Sequence, residues 1–172
     1  ILSPEKTVIL PDLEAGCSLE QSCPPDEFRA FRNAHPDHIA LSYINCSADV
    51  KAASDIIVTS SNAEAIVSQI PADQPILFAP DQYLGCYLAR KTGRDMVLWP
   101  GTCIVHEQFS LRELVRLKTQ NPNAPIAAHP ECPADILQQA DPVGSTSSLI
   151  EYVTTSPADT FIIATEPQII HQ

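Results

Sequence analysis

Displaced by 86 residues, the chain aligns with itself almost from end to end, so it must fold as two copies of one unit. Ala48-Asp49-Val50 falls on Ala134-Asp135-Ile136, Ala53-Ser54-Asp55 on Gln139-Ala140-Asp141, and Ile76-Leu77 on Ile162-Ile163. Asp49, Asp55 and Asp73 meet Asp135, Asp141 and Asp159. Two cysteines are also repeated: Cys17 falls on Cys103 and Cys46 on Cys132. A threefold arrangement of such units would carry its third thiol past residue 172.

Within each copy, short apolar runs alternate with amphipathic segments. Strands are predicted at Ile39–Ile44, Ile56–Thr59, Pro75–Ala79, Met96–Trp99, Ala124–Ala128, Val143–Ser145 and Phe161–Thr165, and an earlier one at Thr7–Leu10. Helices are predicted over Asp26–His35, Ala48–Ala53, Ala63–Ile70, Gln82–Thr92, Leu111–Gln120, Pro133–Gln139 and Ser147–Thr154, with Gly93 stopping the fourth. Near-continuous apolar strands alternating with helices imply an α/β fold. It consists of repeated three-layer αβα sandwiches on parallel sheets joined by right-handed crossovers. Residues 1–12 read as the end of a preceding α/β unit, 13–101 as one sandwich, and 102–172 as a second, incomplete at its C-terminus. Opening without an initiator Met, the chain is expected to be a piece of something longer.

Composition narrows the partners. With 44% apolar residues the chain is able to build a core, yet no apolar run reaches the ~18 residues of a membrane span. Net charge is −11, from 10 basic and 21 acidic residues, which argues against nucleic acid and anionic membranes, since both require clustered Lys and Arg. Six Cys without secretory features read as cytoplasmic thiols, open to ligand or catalytic roles, instead of a disulfide framework.

In open α/β sheets, chemistry gathers at the carboxyl ends of parallel strands. Cys103 lies in such a place, between the run ending at Trp99 and the helical pattern from Ser110. The other strand ends carry Tyr43, Asn45 and Cys46, then Thr59, Ser60 and Ser61, then Asp81, and in the second copy His129-Pro130-Glu131-Cys132, Ser145-Thr146 and Thr165-Glu166. Tyr43 corresponds to His129, Asn45 to Glu131 and Ser60 to Thr146, suggesting one polar cavity where units meet. Each has a plainer role open to it. Ser60, Ser145 and Thr146 suit helix N-caps, Tyr43 suits a half-buried packing position, His129-Pro130-Glu131 suits a surface turn, and Cys103 suits a buried thiol. His106, three residues after Cys103, is a weak signal alone. Cys23, Cys46, Cys86 and Cys132 read as non-ligand thiols. No Cys-x-x-Cys knuckle accompanies Cys17 or Cys103, so single thiolates from twin loops suit an iron–sulfur cluster better than structural zinc.

These stretches carry a resemblance. Ala15-Gly-Cys17-Ser-Leu-Glu20, Tyr43-Ile44-Asn45, Val58-Thr-Ser60-Ser61, Ala79-Pro-Asp81, Pro100-Gly-Thr-Cys103-Ile-Val-His106, His129-Pro130-Glu131 and Gly144-Ser-Thr146 resemble, in order and spacing, the A-type quinolinate synthase family. The resemblance covers practically the whole chain. It implies three homologous sandwiches in a pseudo-threefold triangle around a 4Fe-4S cluster, held by one Cys from each and leaving one iron open. It implies condensation of iminoaspartate with dihydroxyacetone phosphate to quinolinate, phosphate and water in NAD biosynthesis, with L-aspartate oxidase as a supplier of iminoaspartate. Carried over by position, Cys17 and Cys103 match cluster ligands. Tyr43, Ile44, Asn45, Ser60, His129, Pro130, Glu131 and Thr146 match the substrate site, with Tyr43, His129 and Glu131 as proton carriers. The family's first-domain substrate residues and third cluster Cys fall outside residues 1–172, so the isolated segment is expected to be inactive. The other reading, a phosphate- or nucleotide-binding module with structural thiols, would need a Gly-rich loop; the chain has five Gly and no Gly-x-Gly-x-x-Gly. A repeat scaffold for protein partners is a third reading.

Overall fold

The computed structural model describes residues 4–9, 11–12 and 15–171. In chain order it runs α1 (Ser18–Gln21), α2 (Pro25–Asn33), β1 (Ile39–Tyr43), α3 (Ala48–Ala52), β2 (Ile56–Val58), α4 (Ala63–Val67), β3 (Ile76–Ala79), α5 (Gln82–Thr92) and β4 (Met96–Leu98). It continues with α6 (Ile104–Glu107), α7 (Leu111–Gln120), β5 (Ile126–Ala128), α8 (Ala134–Leu137), α9 (Thr146–Thr155), β6 (Ile162–Ala164) and a 3-10 turn at Pro167–His171.

The first sheet has the order β2-β1-β3-β4, all parallel. Because side chains alternate across a strand, its two central strands feed two cores. Leu41, Tyr43, Ile76 and Phe78 face one way and pack with Leu19 of α1, Val67 of α4 and Leu84 and Leu88 of α5. Ala40, Leu77 and Ala79 face the other and pack with Phe28 of α2, Val50 of α3 and Trp99. Helix, sheet and helix thus form three layers, which is why β3 reads as an unbroken apolar run and β1 as one interrupted only by Ser42, whose hydroxyl bonds Ser54. In the second copy, β5 and β6 pair in parallel and pack against Leu114 of α7 and Ile136 of α8. Among the described residues, no helix is long and apolar enough to cross a membrane.

The repeat is visible in hydrogen bonds. Asp55 Oδ2 accepts from Ala40 N at 2.8 Å while Asp55 N donates to Ala40 O; Asp141 does the same with Ile126, again at 2.8 Å. Each carboxylate satisfies a backbone amide at the start of a strand, β1 or β5. Asp141→Ala strands the Ile126 amide, and we expect it to cost about 1–3 kcal/mol in urea unfolding. Asp135→Ala, with the same charge change nearby, is the control; equal midpoints would refute this role. The interval slips at the third strand. Ala40 pairs with Leu77 but Ile126 pairs with Ile162, so Ile162 takes the place of Leu77 and the copies are one residue out of the 86-residue step there.

Other differences from the sequence reading have local causes. Thr7–Ile9 form no strand, with Val8 and Ile9 exposed, and Leu10 lies outside the described residues. Val143–Ser145 shrinks to a single bridge, Ala128 to Val143, because Pro142 has no amide to donate and Ser145 turns at once to cap α9, accepting from Ser148 N. Pro133–Gln139 shortens to α8. Stretches read as loops contain α1 and α6, one turn each. Gly93 ends α5 as expected, at φ 68°.

Candidate active site and cofactor centre

Cys17 and Cys103 occupy the same local structure. Each is the extended N-cap residue of a four-residue helix, Cys17 at φ −107°, ψ 130° and Cys103 at φ −81°, ψ 112°, and neither side chain makes a capping hydrogen bond. Two residues further on, Leu19 and Val105 insert into the same core beside Tyr43 and Phe78. The two loops also touch. Trp99 Nε1 donates to Ser22 O at 2.8 Å, and a Cβ on Gly101 would press on Ser22 Oγ and the Trp99 ring, so glycine eases this approach. Both thiols are therefore delivered to the carboxyl end of the first sheet, Cys17 exposed and Cys103 buried. Asp81, wholly buried, fixes the second loop: its Oδ1 caps α5 through Leu84 N at 2.8 Å and its Oδ2 accepts from Cys103 N at 2.9 Å. Burial and the Glu131 charge raise its pKa to about 7 against the pull of these amides.

Around Cys103 the seam between the two copies closes on a buried polar knot. His106 Nδ1 lies 3.1 Å from Cys103 Sγ and 3.2 Å from Glu131 Oε2, and its Nε2 lies 3.1 Å from Thr165 Oγ1. The His129 ring packs on the His106 ring, centroids 5.0 Å apart, with His129 Nδ1 3.7 Å from Glu131 Oε1. Tyr43 reaches the knot from β1, its hydroxyl close enough to Glu131 and Ser60 for each to act on its ionisation. Tyr43, Cys103, His106, His129 and Glu131 are all at most 6% exposed.

Burial and charge set the protonation states. Burial would raise the Glu131 pKa, but His106 above all, with His129 and the Tyr43 hydroxyl, outweighs it and holds the carboxyl below its ordinary value. Burial dominates at His129 and lowers it to about 4, leaving a neutral imidazole at neutral pH. Burial opposes charge on His106 too, yet its bonds to Cys103 and Glu131 raise it to about 9. Burial, with Glu131 adding to it, drives Tyr43 well above the phenol range, so it stays a donor. The knot thus offers one ionised carboxylate, one neutral imidazole and one phenol at neutral pH, a set suited to moving protons.

Of the residues singled out in the sequence, the structure gathers Tyr43, Ser60, Cys103, His129, Pro130 and Glu131. His129-Pro130-Glu131 is fully buried, where a surface turn would be exposed. Ile44, Asn45 and Cys17 are exposed, and Thr146 is half-buried at the start of α9, behind the Ser145 cap. Asn62, not Ser60, is the N-cap of α4. His106, Asp81 and Thr165 join the site although only their positions at loop or strand ends hinted at it. Cys103, His106 and Glu131 bring ligand-type atoms within 4.8 Å of one another, a group able to hold a metal ion. Cys23 and Cys132, pushed up to about 12 by burial, and the buried Cys46 remain protonated thiols.

Comparison with known proteins bears directly on this seam. The model of the quinolinate synthetase A protein family (NadA) matches residues 1–172. Curated proteins named quinolinate synthase from Trichormus variabilis and a Nostoc species are each 61% identical over the whole chain, which covers 53% of their length. That of Prochlorococcus marinus is likewise 61% identical, with 52% of its length covered. The chain spans about half the length of the curated relatives it matches. With a family model covering every residue and thiols in twin loops, the chain belongs to the quinolinate synthetase A family.

Proposed function

We propose that these residues form the central part of a cytoplasmic quinolinate synthase, which condenses iminoaspartate with dihydroxyacetone phosphate to quinolinate, phosphate and water for NAD biosynthesis. The observation that carries this reading is the buried knot of Tyr43, His129 and Glu131 set against Cys103. In this reading, residues 13–101 and 102–172 are two of three sandwiches, the preceding unit ending within 1–12. L-Aspartate oxidase is a fitting supplier of iminoaspartate.

The donor set fits a 4Fe-4S cluster better than a lone metal ion. His106 Nδ1 sits at hydrogen-bonding distance from both Sγ and the carboxylate, which employs it as a donor and not as a ligand. Cys17 and Cys103, on touching loops of matched conformation, would hold the cluster together with a third thiolate from the rest of the longer protein. When bound, such a cluster supplies a Lewis-acidic iron able to take a carboxylate or hydroxyl oxygen.

The chain's own residues do the rest. The Asn45 amide and the Ser60 and Thr146 hydroxyls, with the Ile44 and Pro130 backbone shaping the wall, bind substrate carboxylates without a buried cation. The Glu131 carboxylate takes a proton at an oxygen during enolisation and ring closure. Tyr43 donates its hydroxyl proton, and neutral His129 passes protons through its ring nitrogens. Anaerobic assay of a chain of the relatives' full length, carrying these 172 residues, tests the reading. We expect quinolinate from iminoaspartate and dihydroxyacetone phosphate, and none from residues 1–172 alone. Cluster-free full-length protein that forms no quinolinate would overturn it.

A further inference from the structure

His106 has no role in the proton transfers above, yet it is 4% exposed and every polar atom of its ring is engaged. Phe109 packs edge-on against one side at 5.9 Å and His129 lies over another part at 5.0 Å, so the ring cannot turn freely. Its Nδ1 faces two acceptors, the Cys103 sulfur and the Glu131 carboxylate, so the proton belongs on Nδ1 and is shared between them. Thr165, at the end of β6 and 8% exposed, meets Nε2 at 3.1 Å. That contact holds the ring in register from the second sheet, 59 residues away in the chain.

We propose that His106 is a positioning residue that ties the Cys103 sulfur to the Glu131 carboxylate, setting the electron density of the one and the orientation of the other through a single shared N–H. The inference rests on the reading of Cys103 as a cluster ligand. An N–H donor to a ligating sulfur draws density from it and favours the more reduced cluster, so hydrogen bonds of this kind raise reduction potentials. The same donor keeps Glu131 pointed toward Tyr43 and His129. Losing it shifts both properties together, which a packing residue would not do.

Redox titration of the anaerobic full-length protein, followed by the electron paramagnetic resonance signal of the reduced cluster, tests this without turnover. In His106→Phe we expect a potential more negative than the parent's and, in a separate assay, kcat lower by about 10–100-fold with KM little changed. His106→Asn, which returns a donor near the Nδ1 position, should recover part of both. Thr165→Val, removing only the contact that orients the ring, should shift the potential in the same direction by less, and Thr165→Ser should match the parent. Should His106→Phe fail to assemble a cluster, Thr165→Val decides: a shifted potential supports the role and an unshifted one overturns it. A parent that holds a cluster, with potentials unmoved in both His106→Phe and Thr165→Val, overturns this inference alone. A parent without iron and sulfide overturns the cluster reading beneath it.

Discussion

Cys103→Ala, in a chain of the relatives' full length purified without oxygen, is expected to lose its iron and sulfide, from about four of each per chain to near none, and with them all quinolinate formation. The fold should survive. Cys103 sits at the edge of its core cluster, its loop is pinned through the backbone by Asp81, and Ala keeps that amide. The change removes one sulfur and little packing, so thermal unfolding should move by only a few degrees. Cys132→Ala provides the contrast within the same copy. Its thiol is wholly buried, pushed up to about 12 by burial, and donates to Ala164 O at 3.4 Å. Cys132→Ala should therefore keep iron and activity and lose about 1–2 kcal/mol of stability, the cost of a small cavity and a weak hydrogen bond. Full iron in Cys103→Ala, or its loss in Cys132→Ala, would exchange the roles assigned to the two thiols. Cys17→Ala should behave as Cys103→Ala, since the two cysteines occupy twin positions.

The chain's regularity made the layers legible and hid part of the site. β1, β3, β5 and β6 were readable because strands buried on both faces are apolar almost throughout, and α5 because its amphipathic pattern stops at Gly93. Cys17 and Cys103 were singled out by self-comparison, as the repeat preserves their place before a one-turn helix. His106 was not, because what gives it meaning is distant in sequence: Glu131 and Thr165 lie 25 and 59 residues away and reach it only after β5 and β6 pair. Asp81 was legible only as a polar residue at a strand end; that one oxygen caps α5 and the other holds the Cys103 amide depends on how the loop after β4 folds back. The slip at β6 was also invisible, since Ile76-Leu77 and Ile162-Ile163 are equally apolar in either register and only the pairing with β5 distinguishes them. The sequence pattern thus specifies what must be buried. The seam, where residues of both copies meet, is a product of packing.

Glu131→Gln is expected to lower kcat for quinolinate formation by about 10²–10⁴-fold while leaving the iron content unchanged. Glu131 is 3% exposed and receives His106 Nδ1 on Oε2, with His129 Nδ1 3.7 Å from Oε1 and the Tyr43 hydroxyl beside it favouring its charged form. Those partners hold the carboxyl ionised despite its burial, so at neutral pH it is the knot's proton acceptor. Gln has the same shape but removes the charge, and its NH2 turns a donor toward neighbours that already donate. Tyr43→Phe is the graded comparison: it removes the phenol proton donor beside the carboxylate and leaves the base, so we expect a smaller loss, about tenfold. If Glu131 acts as a base, the Glu131→Gln loss falls on kcat and the double variant is little worse than Glu131→Gln alone, because the carboxylate and the Tyr43 hydroxyl belong to one proton relay. If Glu131 only braces the loop, the single losses multiply and thermal stability falls with them. A Glu131→Gln enzyme within about threefold of the parent's kcat would take the carboxylate out of the proton path and leave Tyr43 and His129 to carry it.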